Sequence, residues 1–143
     1  MSIKKIFIFF IIFLLFNSFS RSQEIIIVSK VDKDIITNLD IENEKKYLLL
    51  LNDKLSKLNE KEFFILSKNS LIREKIKKKE IDNSFKKIDE KIKKKIIKNF
   101  YTRLGFKKES EFIKLLDTKN ISFANLKEKL IIEAVWNQLI YIK

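Results

Sequence analysis

The sequence contains no cysteine, no histidine and no proline, and its only glycine is Gly105. Without cysteine, the chain has no disulfides, no thiolate zinc sites and no thiol nucleophile. Without histidine, it lacks the side chain that most often serves as a general acid or base. Because proline and glycine are the residues that most often interrupt helices, their scarcity favours long helices. We therefore expect a helical protein without a cofactor, a metal site or catalytic residues.

The charged residues are strongly biased towards lysine. The 143-residue chain has 31 basic and 19 acidic residues, a formal net charge of +12, and only three of the basic residues are arginines. The stretch from Arg73 to Lys98 is interrupted by acidic residues and lacks the arginine forks that read bases and phosphates. We interpret it as a solvated helix surface and expect no nucleic-acid partner. A weaker role is also open, namely long-range attraction to acidic membrane surfaces or acidic protein segments.

The N-terminus has the three parts of a secretory leader. Two lysines, at positions 4 and 5, precede the apolar run Ile6–Phe16, and a small-x-small site follows. This pattern predicts a signal peptide over residues 1–22, cleaved after Ser20 or Ser22, and a periplasmic protein. The apolar run is shorter than the roughly 20 residues that span a bilayer. We therefore expect membrane contact only through the leader, and only if the leader stays uncleaved.

The stretch after the leader predicts a β-hairpin. Ile25–Val28 and Val31 are β-branched, and such side chains suit a pleated, half-buried surface. Asp32–Asp34 interrupts them with polar, turn-forming residues, and Ile35 and Ile36 resume the extended run. The pattern therefore predicts two short strands joined by a tight turn.

Capping signals place the helices that follow the hairpin. Thr37 has Asp40 three residues later, a shortened capping box that predicts the start of a helix over 38–51. Gly105 and Phe106 have the order of a Schellman motif, in which glycine adopts the left-handed conformation and the next residue makes an apolar contact. Ser122 predicts the cap of the last helix. The remaining helices are predicted at about 59–79, 82–104 and 108–118.

Apolar spacing predicts which faces of the middle helices are buried. In the second helix, Ile65, Ile72 and Ile76 fall on one face. The third helix has a stripe with spacings of three, four and four residues, formed by Phe85, Ile88, Ile92 and Ile96. An amphipathic helix buries its apolar stripe, so we expect both stripes to face the core.

The closing helix is apolar on more than one face. Its apolar residues include Leu126, Leu130, Ile131, Ile132, Ala134, Val135, Trp136, Leu139, Ile140 and Tyr141. A helix that is apolar all round is either a central core element or a helix without its partner. In the second case, a client segment, a separately encoded partner or a second copy of the chain in a homodimer would cover it.

The order of hairpin, capped helix and further helices resembles the N-terminal domain of SurA-type periplasmic chaperones. The family's hairpin pattern is matched at Val31, Ile35, Ile36, Thr37, Asp40 and Ile41. Glu133 and Trp136 resemble the E-x-x-W of the family's closing helix, and the resemblance spans residues 24–143. It implies a mainly α fold, with a short N-terminal β-hairpin followed by about five helices.

The resemblance also implies a function. It suggests an ATP-independent chaperone whose partners are unfolded outer-membrane proteins in transit through the periplasm. The mechanism would be reversible burial of apolar, extended segments in an exposed groove. The candidate client-binding residues are Phe63, Phe64, Phe100, Tyr101, Trp136 and Ile140. The alternative interpretation of these side chains is that they pack in the core.

The sequence departs from the family on its C-terminal side. Full-length relatives continue into parvulin-type isomerase domains, for which 143 residues leave no room. We therefore expect no prolyl isomerase activity and no enzyme. Two alternatives stay open: a truncated or split fragment of a SurA-type isomerase, and a small structural envelope protein anchored by an uncleaved leader. A parvulin segment in the downstream reading frame would favour the first, and a mature protein that keeps Met1 would favour the second.

Overall fold

The computed structural model describes residues 24–84 and 88–142. In this part of the chain a two-stranded hairpin precedes five α-helices, which confirms the predicted mainly α fold class. The predicted signal peptide and Phe85 lie outside the described residues. The elements are β1 (Ile27–Val31), β2 (Asp34–Thr37), α1 (Asn38–Leu51), α2 (Glu60–Ser84), α3 (Glu90–Arg103), α4 (Glu109–Thr118) and α5 (Phe123–Ile142), and a 3-10 helix over Asp53–Lys57 joins α1 to α2.

The two strands form the antiparallel hairpin that the sequence predicts. Ser29 of β1 lies opposite Ile36 of β2, and the pairing is irregular between Ile27 and Ser29. In the turn, Asp32 adopts the left-handed conformation with φ +55°, which aspartate tolerates better than most residues. Ile36 is fully buried under α1 and α2, so one face of the hairpin belongs to the core.

Two capping boxes start the first two helices. Thr37 Oγ1 accepts a hydrogen bond from the Asp40 N–H (3.3 Å), and Asp40 Oδ2 accepts one from the Thr37 N–H (2.7 Å). Asn59 and Glu62 exchange the same pair of bonds at the start of α2, at 2.9 and 3.2 Å. These bonds satisfy backbone N–H groups that have no partner inside the first turn. The predicted starts of both helices are therefore confirmed.

The single glycine ends α3 as the sequence predicts. Gly105 has φ +89°, its N–H donates to the Thr102 carbonyl (3.0 Å), and the Phe106 N–H donates to the Tyr101 carbonyl (3.0 Å). This pair of bonds is the Schellman motif. The same arrangement recurs at the end of α4, where Asn120 occupies the left-handed position with φ +51°. The α4–α5 turn therefore uses the same geometry without glycine.

The predicted boundary between the second and third helices was wrong. The helix α2 continues beyond Lys79 to Ser84, and α3 begins only at Glu90. Ile81 explains the longer helix, because its side chain is buried against α5 and favours helical backbone at that point. Asp89 supplies the cap of α3, since its carboxylate accepts a hydrogen bond from the backbone of the first turn (2.7 Å).

The predicted apolar stripes are confirmed only in part, because Ile72, Ile88 and Ile96 are half-buried against core residues. Ile65 and Ile76 of α2 are exposed, as is Ile92 of α3. The buried residues are instead Phe63, Ser67, Leu71 and Ile81 in α2 and Ile97, Phe100 and Tyr101 in α3. The face of α2 that packs on its neighbours includes the polar residue Ser67, so the apolar periodicity of this helix identified only part of that face.

Three clusters of buried apolar side chains form the core. The aromatic core joins α1, α3, α4 and α5, and consists of Tyr47, Ile97, Phe100, Tyr101, Phe112, Leu116, Leu126 and Leu130. The hairpin core joins β2 to α1 and α2, and consists of Ile36, Ile41 and Leu71. The third cluster joins α2 to α5, and consists of Ile81, Ile132 and Val135. The helix α5 therefore contributes to two of the three clusters.

The closing helix is a central core element in this structure. Five of its apolar residues are buried, and others, Trp136 among them, are half-buried, whereas Ile140 and Tyr141 near its end are exposed. Contacts with α2 and α3 cover its sides. Among the described helices, none combines the length and the apolar character needed to cross a membrane.

Candidate functional site

Three of the six predicted client-binding residues lie inside the protein. Phe100 and Tyr101 are buried in the aromatic core. Phe63 is buried beside Lys45, whose ammonium lies 6.0 Å from the centre of the phenylalanine ring. Side chains in these positions stabilise the fold and do not present an apolar surface to another chain in this conformation.

The other three predicted residues lie in different surroundings. Phe64 is half-buried against the hairpin core, and Trp136 is half-buried against the third cluster. Ile140 is exposed near the end of α5. The six side chains are therefore divided among separate parts of the molecule, and the structure does not bring them together into one groove.

A run of exposed isoleucines lies on the hairpin instead. Ile25, Ile26 and Ile27 are 65%, 54% and 63% exposed, and Ile35 on the second strand is 49% exposed. We call these four residues the isoleucine row. Single exposed apolar side chains are normal on protein surfaces, whereas adjacent ones mark interaction sites. Within the described residues the sheet has two strands, so each strand has an outer edge without a strand partner.

Asn38 fixes the beginning of the isoleucine row against α1. Its N–H donates to the Ile26 carbonyl, its Oδ1 accepts from the Ile26 N–H, and its Nδ2 donates to the Glu24 carbonyl, each at 2.9 Å. One asparagine thereby provides three hydrogen bonds to the chain that leads into β1. The row is consequently presented by a backbone that is tied to the first helix.

A polar cleft of about 310 Å³ lies on the other side of this region, between α1, α2 and the start of α5. Its lining includes Glu44, Glu74 and Lys129, one residue from each helix, which we call the ion cluster. Lys129 Nζ lies 2.6 Å from Glu44 Oε2, also bonds the Glu74 carboxylate, and lies 5.3 Å from the centre of the Tyr47 ring. The Glu44 side chain is buried at 1% exposure, and the side chains of Lys129 and Glu74 are mostly covered, at 13% and 22%.

The charges of the ion cluster are set by burial and by mutual attraction. Burial acts to lower the pKa of Lys129, but attraction and hydrogen bonding to the two carboxylates outweigh it, and the pKa is raised. Burial raises the pKa of Glu74, and Lys129 offsets this only in part. A lysine that acts as a nucleophile needs a lowered pKa. The cluster is therefore an ionic connection between three helices, and the described residues contain no group of side chains suited to hold a metal ion.

The raised pKa of Glu74 predicts a pH-dependent effect of Glu74→Gln. Because the folded pKa lies above the unfolded one, the carboxyl contributes stability that is complete below the unfolded pKa and is lost as the pH rises through the folded pKa. Glutamine does not titrate. We therefore expect the variant to gain stability relative to the unmodified protein as the pH rises from about 4 to 7. Urea denaturation of both proteins across this range measures the difference, and a difference that stays constant or falls with pH would contradict the expectation.

Comparisons with known proteins find no relative of this chain. It matches no protein family model, no curated protein and no solved structure.

The sequence analysis predicted neither the exposed isoleucine row nor the ion cluster. The β-branched run was expected to form a half-buried surface, and its pattern alone does not tell that Ile25–Ile27 stay exposed. Lys129 gives no signal of burial, because lysine is abundant throughout the chain. The isoleucine run itself was a usable signal of exposure, because consecutive residues of a strand point to opposite faces and cannot all lie on one covered face.

Proposed function

We propose that the chain is an exported, ATP-independent chaperone-like module that binds unfolded segments of outer-membrane proteins. The observation that carries this proposal is the isoleucine row beside an open strand edge. The resemblance of the hairpin and helix start to the SurA N-terminal domain supports the same function. The leader pattern over residues 1–22 supports export to the periplasm.

The open hairpin edge suits a client in extended conformation. An added strand satisfies the backbone N–H and C=O groups of the edge, and its alternate side chains face the same surface. Strands of outer-membrane barrels alternate apolar and polar residues with this period of two. A client strand can therefore place its apolar side chains beside Ile27 and Ile35, which the strand register puts on the same face of the sheet.

The energy available from the row suits reversible binding. Complete burial of an isoleucine side chain contributes about 1.5–3 kcal/mol, and the four residues of the row are each about half exposed. Binding must also offset the loss of freedom of the client chain. The balance favours weak, exchanging complexes, which are what a carrier without a nucleotide cycle requires.

The test is an aggregation-suppression assay with a denatured β-barrel protein as the client. Replacing Ile27 and Ile35 by serine is expected to abolish most of the suppression, because both side chains are exposed and lie on the hairpin. The matched control replaces by serine Ile65 and Ile92, two isoleucines on helices that are 44% and 46% exposed, and should keep the suppression. Light scattering of the client reports the outcome for all three proteins.

Two results would refute this function. One is a lack of suppression by the unmodified chain at any ratio of chain to client. The other is equal loss of suppression in both double variants, which would show that the hairpin has no special part in binding. Circular dichroism of the variants checks that their helical content is unchanged.

A further inference from the structure

The outer face of α3 carries an unbroken set of positive charges. Lys91, Lys94, Lys95 and Lys98 are spaced so that they share one side of the helix, and all four are exposed. After Glu90 the sequence of α3 contains no acidic residue. The four ammonium groups lie along a face about 10 Å long, the rise of seven helical residues.

These lysines differ from those of the neighbouring helix α2. The lysines of α2 in its second half are matched by acids: Lys75 with Asp34 (3.9 Å), Lys77 with Glu133 (2.6 Å), Lys78 with Glu128, and Lys79 with Asp32 (2.8 Å). By contrast, none of the four lysines on the α3 face has a carboxylate within ion-pair distance among residues 24–84 and 88–142. The positive charge of the α3 face is therefore uncompensated within the described structure.

We propose that the α3 face docks on the surface of a membrane that contains anionic lipids. Lysines clustered on one side of a helix attract anionic headgroups without specific geometry, and each contributes to binding. Ile92 is exposed three residues before Lys95 and can enter the boundary between headgroups and acyl chains. The face lacks arginine forks for phosphate recognition in nucleic acids, which favours the lipid surface over DNA or RNA. This contact is separate from the isoleucine row and does not depend on the proposed client binding.

The direct test is binding of the full chain to two kinds of vesicles. One contains equal parts of phosphatidylglycerol and phosphatidylcholine, and the other contains phosphatidylcholine alone. Apolar insertion of the leader contributes to both, so the ratio of the two partition coefficients reports the electrostatic attraction of the whole chain, and the change of this ratio in a variant reports the part of the substituted lysines. Replacing Lys91, Lys94, Lys95 and Lys98 by glutamine is expected to lower this ratio several-hundred-fold, at about five-fold per lysine.

Two further variants give the test its controls. The first replaces four exposed lysines on other parts of the chain by glutamine and so changes the net charge by the same amount. These lysines are Lys54, Lys61, Lys114 and Lys119. It should keep most of the binding. The second replaces the four α3 lysines by arginine, keeps the positive charge, and should also bind. Co-sedimentation measures the partition coefficients, and circular dichroism checks the fold of each variant.

Several outcomes would overturn the proposal. One is that the unmodified chain shows no preference for the anionic vesicles. Another is that the two glutamine variants lose equal affinity, which would indicate a general effect of net charge. Tighter binding of the unmodified chain to double-stranded DNA than to the anionic vesicles at the same salt concentration would assign the face to nucleic acid instead. A ratio of the two partition coefficients that is unchanged in the α3 glutamine variant would also contradict it.

Discussion

Replacing Phe112 by alanine is expected to lower the free energy of unfolding by about 3–5 kcal/mol, among the largest effects of any single substitution in this chain. Phe112 is fully buried at the centre of the aromatic core. Its ring lies 5.8 Å from that of Phe100, 5.6 Å from Phe106 and 6.5 Å from Phe123, measured between ring centres. Alanine would leave a cavity among rings from α3, the α3–α4 turn and α5, which cannot all move inward. Chemical denaturation followed by circular dichroism measures the loss.

Tyr141 provides the control for Phe112. It is 92% exposed near the end of α5, so Tyr141→Ala is expected to change the stability by less than about 0.5 kcal/mol. A loss below about 1 kcal/mol for Phe112→Ala would mean that the aromatic core collapses around the cavity or is packed differently.

Replacing Lys129 by methionine is expected to cost about 3–5 kcal/mol at neutral pH. The substitution keeps the length of the side chain but removes the charge between Glu44 and Glu74. Two carboxylates would then face each other in a buried site without a counterion, which is the costly way to disrupt a buried ion pair. The raised pKa of Lys129 means that its contribution is complete below its ordinary value of 10.5 and is lost only as the pH rises through the higher folded value.

The pH dependence of Lys129→Met distinguishes an electrostatic loss from a packing loss. Burial raises the pKa of Glu74, so acidification protonates this carboxylate and the difference between variant and unmodified protein should shrink as the pH falls. Lys77→Met is the matched control, because Lys77 pairs with Glu133, a side chain that is about half exposed to water. Its loss should be much smaller. A loss for Lys129→Met that does not change with pH would assign the effect to side-chain packing alone.

The sequence predicts the local signals of this fold well. Thr37, Asp40 and Asn59 begin helices, and Gly105 ends one, because each of these effects depends on a few neighbouring residues. The number and order of the elements follow from such signals together with the β-branched run of the hairpin. The break between α2 and α3 was misplaced because Ile81 extends α2 through a contact with α5, which is distant in sequence.

The candidate sites depend on contacts between distant parts of the chain. Phe63, Phe100 and Tyr101 have the composition of a binding groove, but only the folded structure shows that other side chains cover them. Lys129 meets its two carboxylates across three helices, and no spacing in the sequence encodes that meeting. The exposure of Ile25 and Ile26 likewise depends on the fold, because these residues precede β1 and no other part of the described structure covers them. The helical fold class could be predicted from the sequence, whereas the distribution of buried and exposed side chains at the candidate sites could not.

The ion cluster lies between the hairpin core and the aromatic core. The cleft that holds it is bordered by Ile36 and Leu71 of the hairpin core and by Tyr47 and Leu126 of the aromatic core. Charged side chains, and not a continuous apolar contact, therefore separate the two cores at this point. Local opening of the hairpin must release its small core, the Asn38 bonds and the ion pairs of Asp32 and Asp34 with α2, while the aromatic core stays closed. The hairpin can thus act as a separately opening flap on a helical body that remains folded.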